Sequence, residues 1–413
     1  MPAAKDRVEE ARRETRGRSR MKLKHHSLID KVYAPRNLAA AWKRVRSNKG
    51  CAGIDRVSVE AFDKNAEYLL AKIHELLKAD RYTPQAVKRV WIPKPDGRKR
   101  PLGIPTVADR VVQQAVLNIL GPIFERNFLS VSFGFRPGRS THQAMREVWR
   151  LLQSGRPWVV DLDIKGYFDT IPHDRLVGFV AEEVADGRVL ALIRQFLTSR
   201  VMEDLKLLEV ELGTPQGGVI SPLLANIYLH YFDAKMVAEG YAVVRYADDL
   251  VVLCRTRAEA QAALSRVKSI LEGELDLTVH PEKTRVVHVS QGFEFLGYRI
   301  KKAYEKVYAR PREKSVASFR EKIRYATRRK QGVNLVEMIH RMAPIIRGWG
   351  NYYRKAHVRT LFFKIDRWIE RRVYAFIAQG WRNQAWQRYP GQVLRSRYGL
   401  VSLLRLCPPK PRP

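Results

Sequence analysis

Val243-Val244-Arg245-Tyr246-Ala247-Asp248-Asp249-Leu250-Val251-Val252-Leu253 reads as two β-branched runs joined by a tight acidic turn. It predicts strand, bend and strand within Tyr241–Leu253, with the paired carboxylates of Asp248 and Asp249 pinned at a hairpin tip. Adjacent aspartates repel, and most such pairs are solvated turn residues, so the pair alone does not define a site. A second acidic strand end changes its weight. Trp158-Val159-Val160-Asp161-Leu162-Asp163-Ile164-Lys165-Gly166-Tyr167-Phe168-Asp169 is another extended segment, delivering Asp163 at its end before it turns. Asp161 and Asp163 share one strand face. If Asp163 and Asp248 meet across neighbouring strands, their oxygens can hold two Mg²⁺ ions about 4 Å apart, one lowering the pKa of an attacking hydroxyl and one stabilising the leaving oxygen. That layout serves phosphoryl transfer, and hard oxygen ligands without soft ones suit Mg²⁺.

Between these strands lies Gly213-Thr214-Pro215-Gln216-Gly217-Gly218-Val219-Ile220-Ser221-Pro222, a glycine-rich turn entering a helix, where backbone can approach a ligand closely. By itself it is also what an ordinary connector looks like. Helical patterns occupy Leu28–Leu77 around a Gly50–Gly53 turn, then Val107–Phe124, Leu176–Leu197 and Ser221–Ala238. Tyr82–Ile92 alternates like a strand and Leu102–Ile104 resumes extended structure, which places Lys94, Arg98, Lys99 and Arg100 in or beside a hairpin loop. Strands gathered by helices, without strict alternation, predict an α+β lobe.

The chain has 413 residues, with 76 Lys and Arg against 42 Asp and Glu, a net charge of +34 that calls for a polyanionic partner. Residues 1–26 carry nine basic residues against four acids and no apolar periodicity, a basic arm able to lie along phosphates or simply a frayed tail. From 299 to 413 the count is 29 basic to 6 acidic, about two thirds of the whole net charge, which sets a domain boundary near Arg299. Ser315–Lys330 and Leu361–Trp381 read as helices there, the second with Phe362, Ile365, Trp368, Ile369, Val373 and Phe376 on one apolar side. Three well-separated cysteines (Cys51, Cys254, Cys407) exclude a disulfide scaffold and a cysteine-type zinc module, and fit a reducing compartment. No apolar run approaches the roughly 18 residues of a membrane span, and the expected location is cytosolic. The signatures of a P-loop ATPase, a zincin and an α/β-hydrolase are absent.

The three acidic and glycine-rich segments, in this order, resemble the palm of a reverse transcriptase, and most closely the enzymes encoded by bacterial group II introns. The resemblance runs from about Trp42 to Phe376. It rests on Ile92-Pro93-Lys94-Pro95 with Arg100-Pro101-Leu102-Gly103-Ile104-Pro105, Ser132-Phe133-Gly134-Phe135-Arg136-Pro137-Gly138, Thr214-Pro215-Gln216-Gly217-Gly218, Ser221-Pro222-Leu223-Leu224-Ala225-Asn226, Tyr246-Ala247-Asp248-Asp249 and Phe295-Leu296-Gly297-Tyr298. It implies an α+β right-hand polymerase: a basic arm over 1–26, a helical extension of the fingers over 27–77, fingers and an antiparallel palm over 78–298, and an α-helical thumb or maturase domain over 299–413.

Position by position, the resemblance implies that Asp163, Asp248 and Asp249 form the catalytic, metal-binding carboxylate set around two Mg²⁺ ions. Lys94 and Arg100 match residues that clamp the incoming triphosphate. Phe168 matches the aromatic gate that a ribose 2′-OH collides with, Gln216 and Gly217 the segment beneath the templating base pair, and Lys283 a lysine proposed to protonate pyrophosphate. Phe295, Leu296, Gly297 and Tyr298 match the primer grip. Trp42–Phe62 resembles the N-terminal extension of non-retroviral reverse transcriptases.

Arg347-Gly348-Trp349-Gly350-Asn351-Tyr352-Tyr353-Arg354 and the helix after it resemble the maturase or thumb domain. Basic helices interleaved with Trp and Tyr suit phosphate contact and stacking on unpaired bases. RNA contact is expected of Arg320, Lys322, Arg324, Arg328, Arg329 and Lys330, and of Arg354 and Lys355. After Trp381 no H-N-H cluster or paired Cys-x-x-Cys follows, which resembles the compact class C enzymes that lack the DNA endonuclease domain. The implied partners are group II intron RNA in a ribonucleoprotein of the bacterial cytosol or nucleoid, an RNA template with a DNA primer, dNTP and target DNA. The implied roles are RNA-templated DNA synthesis, splicing and retromobility. Two alternatives stay open: an intron-independent relative serving DNA repair or phage defence, and an RNA-binding splicing factor with a vestigial palm, which the intact carboxylates weigh against.

Overall fold

The computed structural model of the chain describes residues 24–93, 99–203, 206–208, 212–213, 217–304, 306–328, 332–377 and 385–408. Lys94, Gln216, Arg329, Lys330 and nearly all of the basic arm lie outside the described residues. Two compact units divide the chain, Met1–Val286 and Val287–Pro413. In chain order the strands are β1 Val87–Pro93, β2 Lys99–Ile104, β3 Trp158–Leu162, β4 Val201–Glu203, β5 Lys206–Leu208, β6 Ala242–Tyr246, β7 Asp249–Cys254, β8 Arg285–His288, β9 Phe293–Phe295, β10 Tyr298–Ala303 and β11 Lys306–Pro311.

In the first unit, one sheet has the order β2-β1-β4-β5 and a second the order β6-β7-β3-β8, with the chain passing from one unit to the next on β8. In the second sheet β7 is central, antiparallel to β6 (Val243 opposite Val252) and to β3 (Val160 opposite Val252). Consecutive residues of β6 and β7 are buried, as happens when helices cover both faces of a strand. Thr141–Gln153 and Ser221–Ala238 pack on β6, and Arg257–Lys268 packs on β3 and β7.

Ser221–Ala238 is the innermost of these helices. Pro222 sits in its first turn, where the missing N–H costs nothing, and apolar residues surround it on every side, Leu224, Tyr228, Leu229, Phe232 and Met236 being fully buried. Within this apolar cylinder only a few polar side chains are buried, among them Asn226 and Asp233, seven residues apart and so on one face.

Helix Val107–Glu125 has its N-terminus capped by the Thr106 hydroxyl, which accepts from the Asp109 N–H at 3.1 Å. The mainly helical stretch expected over Leu176–Leu197 consists of two helices, His173–Ala181 and Gly187–Leu197. The break falls at Asp186, whose carboxylate caps the second helix through Arg188 and Val189 and also accepts the N–H groups of Leu28 and Ile29 at 2.7 and 2.8 Å. Those backbone bonds outweigh the burial that would raise its pKa, and hold the carboxyl below its ordinary value. The strand expected from Tyr82 begins only at Val87, since the Tyr82 hydroxyl and the Gln85 N–H are both given to Asp109.

The second unit is built from the antiparallel sheet β11-β10-β9 and the helices Glu313–Ala326, Leu335–Tyr353 and Arg359–Ile377. Its start precedes the composition change at Arg299, because β9 pairs with β10 and so joins the 293–298 turn to the basic region. Of the predicted apolar side, Phe362, Ile365, Ile369 and Val373 are fully buried. Trp368 is half-buried, with the guanidiniums of Arg320 and Arg324 over its ring at 5.7 and 5.9 Å. Among the described residues no helix is long and apolar enough to cross a membrane.

Phe232 lies at the centre of the first unit's core. Phe232→Ala should lower stability by about 3–5 kcal/mol, read as a lower urea midpoint with an unchanged slope.

Candidate active site

β6 ends at Tyr246 and β7 begins at Asp249, with these two residues paired, so the bend consists of Ala247 and Asp248. Ala247 has φ +58, a left-handed conformation that costs a residue with a Cβ about 1–2 kcal/mol. What holds it there is the residue before the turn. Arg245, fully buried, donates to the Ala247 carbonyl at 3.0 Å, to the Asn226 side-chain oxygen at 3.0 Å, and to both carboxylate oxygens of Asp233 at 2.5–3.0 Å. Burial works against the guanidinium's charge, but the adjoining Asp233 carboxylate more than offsets it, with smaller help from Tyr167 and Asp248, so the group is held above its ordinary pKa.

The loop 132–136 closes the other side of the bend. The N–H of Phe133 donates to the Arg245 carbonyl at 2.8 Å and the N–H of Arg245 to the Val131 carbonyl at 2.9 Å. Asn226 donates to the Gly134 carbonyl at 2.8 Å. Gly134 is required: a Cβ there would fall 2.2 Å from the Ala247 nitrogen. Arg136, nearly buried, fixes the loop by pairing with Glu125 at 2.7 Å and donating to the carbonyls of Leu129 and Ser132 at 2.6 and 2.8 Å.

Asp163 follows directly on Leu162, whose partner across the sheet, Leu250, follows directly on Asp249. Paired Cα atoms in such a ladder are about 5 Å apart, so the register carries Asp163 to the neighbourhood of the bend. Asp248 is half-buried and Asp249 exposed. Next to Asp163, the segment 278–280 is bonded alongside: His280 N–H to the Asp163 carbonyl and Lys165 N–H to the Thr278 carbonyl, each at 2.8 Å. A turn at His280 then swings Lys283 back, and its Nζ meets Asp163 Oδ2 at 2.7 Å. Asp161, expected to share the face of Asp163, pairs with Arg285 at 3.3 Å.

Phe168 lies half-buried on the short helix Tyr167–Thr170, edge-on to the exposed ring of Phe135 at 6.3 Å. The Phe168–Asp169 backbone leaves no room for a side chain at Gly213, where a Cβ would come within 2.7 Å. Gly217 (φ +116) lies against the Gly103 carbonyl of β2, and Arg100 falls on the same strand opposite Ile92. In the second unit Phe295 and Tyr298 are buried and face each other across the two-residue turn Leu296-Gly297. Lys322, Arg324, Arg328, Arg354 and Lys355 are exposed, and Arg320 is half-buried against Trp368.

Reasoning from sequence assigned no role to Arg245, Asp233, Asn226 or Gly134. The signals were present: a charged residue inside a β-branched run, and two polar residues at one face of an otherwise apolar helix, each needing a partner that burial would demand.

Residues 92–300 match the reverse transcriptase (RNA-dependent DNA polymerase) family, and residues 316–391 match the group II intron maturase-specific domain. The chain belongs to the reverse transcriptases, the RNA-dependent DNA polymerases, and carries a maturase-specific domain. It is similar to protein YkfC of Escherichia coli (strain K12), 34% identical over 318 residues that cover 67% of this chain and 84% of that protein. It is also similar to the group II intron-encoded protein LtrA of Lactococcus lactis subsp. cremoris, 32% identical over 326 residues covering 63% of this chain but only 54% of LtrA. A chain of the partial Cas6-RT-Cas1–Cas2 complex is 21% identical over 60% of this chain and 43% of its own, at a TM-score of 0.38, too slight a likeness to bear on the fold.

A reverse transcriptase domain implies a divalent metal cofactor. As the side chains stand, no three His, Cys, Asp or Glu are gathered into a metal cluster among the described residues. The donor chemistry fits such an ion all the same: the carboxylates at the bend and at the end of β3 offer only hard oxygens, and the β3–β7 register brings their backbones together.

Two outcomes follow from this geometry. Arg245→Met should destabilise the chain by about 3–5 kcal/mol in urea unfolding, and adding Asp233→Leu should recover a large part of that loss, because an unpaired buried charge costs more than a missing pair. Gly134→Ala should reduce DNA synthesis by about 100-fold while changing the urea midpoint far less, since it displaces the bend on the ångström scale.

Proposed function

We propose that the chain copies RNA into DNA at Asp163, Asp248 and Asp249, and that its second unit binds group II intron RNA as a maturase. The observation that carries the first part is the β3–β7 register, which directs a third carboxylate to a bend already holding two. Asp163, Asp248 and Asp249 would hold two Mg²⁺ ions, which supply, when bound, activation of the primer 3′-hydroxyl and stabilisation of the departing pyrophosphate.

The chain's own groups do the rest. Arg245 fixes the backbone that presents Asp248 and Asp249. Lys283, whose Nζ pairs with the Asp163 carboxylate, is assigned the proton given to a leaving phosphate oxygen, a reading that this pairing supports. Phe168 offers an aromatic face against the sugar of an incoming dNTP and so favours the deoxy form. Arg100 and Lys94 neutralise triphosphate charge, and Gln216 with Gly217 lies beneath the templating pair. The turn Phe295–Tyr298 supports the primer end.

Intron RNA contact falls to the exposed cations of the second unit and to Arg320, and Arg329 and Lys330 are assigned the same role from the sequence. Aromatic–guanidinium pairs there, such as Arg328 over exposed Tyr325 at 4.9 Å, suit unpaired bases as well as phosphates. Splicing in this reading is catalysed by the RNA, and the protein favours the folded intron by binding it. Target DNA, retromobility and a bacterial cytosolic ribonucleoprotein complete the proposal.

Asp248→Ala with Asp249→Ala should abolish extension of oligo(dT) on poly(rA) in Mg²⁺ while intron RNA binding keeps its affinity and its log–log salt slope. Loss of RNA binding in a still-folded double variant would refute the separation of the two activities.

A further inference from the structure

The turn Leu296-Gly297 is held by the end of a helix, at residues more than fifty positions downstream. Both its residues have positive φ, +48 and +76, as a tight two-residue hairpin bend requires. Glycine adopts this freely, but leucine does not, and a left-handed leucine persists only where its surroundings over-determine it. The surroundings here are the last two residues of helix Leu335–Tyr353. The Tyr352 hydroxyl donates to the Leu296 carbonyl at 2.8 Å, and the Tyr353 hydroxyl to the Gly297 carbonyl at 3.1 Å. The turn answers in kind: the Tyr298 hydroxyl donates to the Tyr352 carbonyl at 2.5 Å, and its ring stacks on Tyr352 at 5.5 Å and meets Tyr353 edge-on at 4.9 Å.

The direction of the bonds behind Tyr353 follows by elimination. Its single hydroxyl proton is spent on Gly297, so at 2.8 Å it must accept from the Ser315 hydroxyl. Ser315 has then no proton left and accepts from the Trp349 indole N–H at 3.3 Å, a group that can only donate. A one-way relay thus runs from Trp349 through Ser315 and Tyr353 to the turn. Burial raises the pKa of both Tyr298 and Tyr353, so these hydroxyls keep their protons well into the alkaline range. The Arg312 N–H shares the Gly297 carbonyl at 3.0 Å.

We propose that Tyr352 and Tyr353 are positioning residues for the primer strand, acting through the backbone of Leu296 and Gly297, an inference that rests on reading this turn as the primer grip. The proposal gives the Tyr-Tyr pair of the Arg347–Arg354 motif a part in DNA synthesis in addition to any part in RNA binding. It also accounts for a leucine where a free-standing hairpin would place Asn or Gly.

The test uses the full-length chain in steady-state extension of oligo(dT) on poly(rA). Y352F, Y353F and the double variant keep the rings and remove only the hydroxyls. Each hydroxyl lost should raise the KM for primer–template about five-fold, while the KM for dTTP, intron RNA affinity and the melting temperature stay near their starting values. S315A, which removes the donor to Tyr353, should shift the same parameter to a smaller extent. An unchanged primer–template KM in the double variant overturns the proposal, as does an equal rise in both KM values or a loss that only tracks melting. A photoreactive base at the primer 3′ end separates this from the underlying reading. Failure to crosslink within 295–298 would sink the primer-grip assignment itself, whereas a crosslink with an unmoved KM would sink only the role of the tyrosines.

Discussion

A guanidinium fully buried under the Tyr246–Asp249 bend is the constraint from which the rest of the first unit follows. Taking Arg245 out of water is costly, and the cost is met because each of its three side-chain nitrogens donates to an oxygen, of Asp233, Asn226 or the Ala247 carbonyl. Those acceptors come from a helix and from the bend itself. The helix Ser221–Ala238, the strand β6 and the turn must therefore keep one mutual placement, and the loop 132–136 is added to it through Asn226 and the Arg245 backbone. Two adjacent carboxylates that repel one another are set on a base that cannot slide.

Charge is distributed to match. The chain carries +34 overall, and its acids are few where nucleic acid would lie. Those at the ends of β3 and β7 are attended by cations placed individually: Lys283 on Asp163, Arg285 on Asp161, Arg245 behind Asp248. Lys283 and Arg285 sit in solvent, where such pairs contribute little to stability. Their significance is local, in setting the field that a phosphate would meet.

The fold was largely legible where one period dominated. The acidic hairpin, the strand ending at Asp163 and the helix Ser221–Ala238 follow from β-branched runs and a proline-led apolar segment, and the aspartates were conspicuous because they fall at the ends of apolar strands. Leu176–Leu197 was legible as mainly helical but not its break, because both its helices present apolar residues at compatible spacing and the break depends on Asp186 capping one helix while binding Leu28 and Ile29, a contact remote in sequence. The hairpin β10–β11 was hidden for a related reason, its strands being rich in Lys and Arg and half exposed. Gly134 could not be assigned because what it does depends on another segment: the clash that forbids a side chain there is with Ala247, a residue more than a hundred positions away.

The hydroxyl pair at the end of helix Leu335–Tyr353 bears on where this chain can be cut, since the turn it fastens and the helix belong to the same unit. A chain shortened to the sequence up to Ala303 would retain Asp163, Asp248, Asp249 and all four residues of the turn, and yet lose the Tyr352 and Tyr353 hydroxyls that fasten Leu296 and Gly297. Modular boundaries drawn from composition or from family matching thus cut through a working joint. On the proposed reading, a descendant that abandoned its intron would still have reason to keep both tyrosines, because the turn they fasten belongs to DNA synthesis.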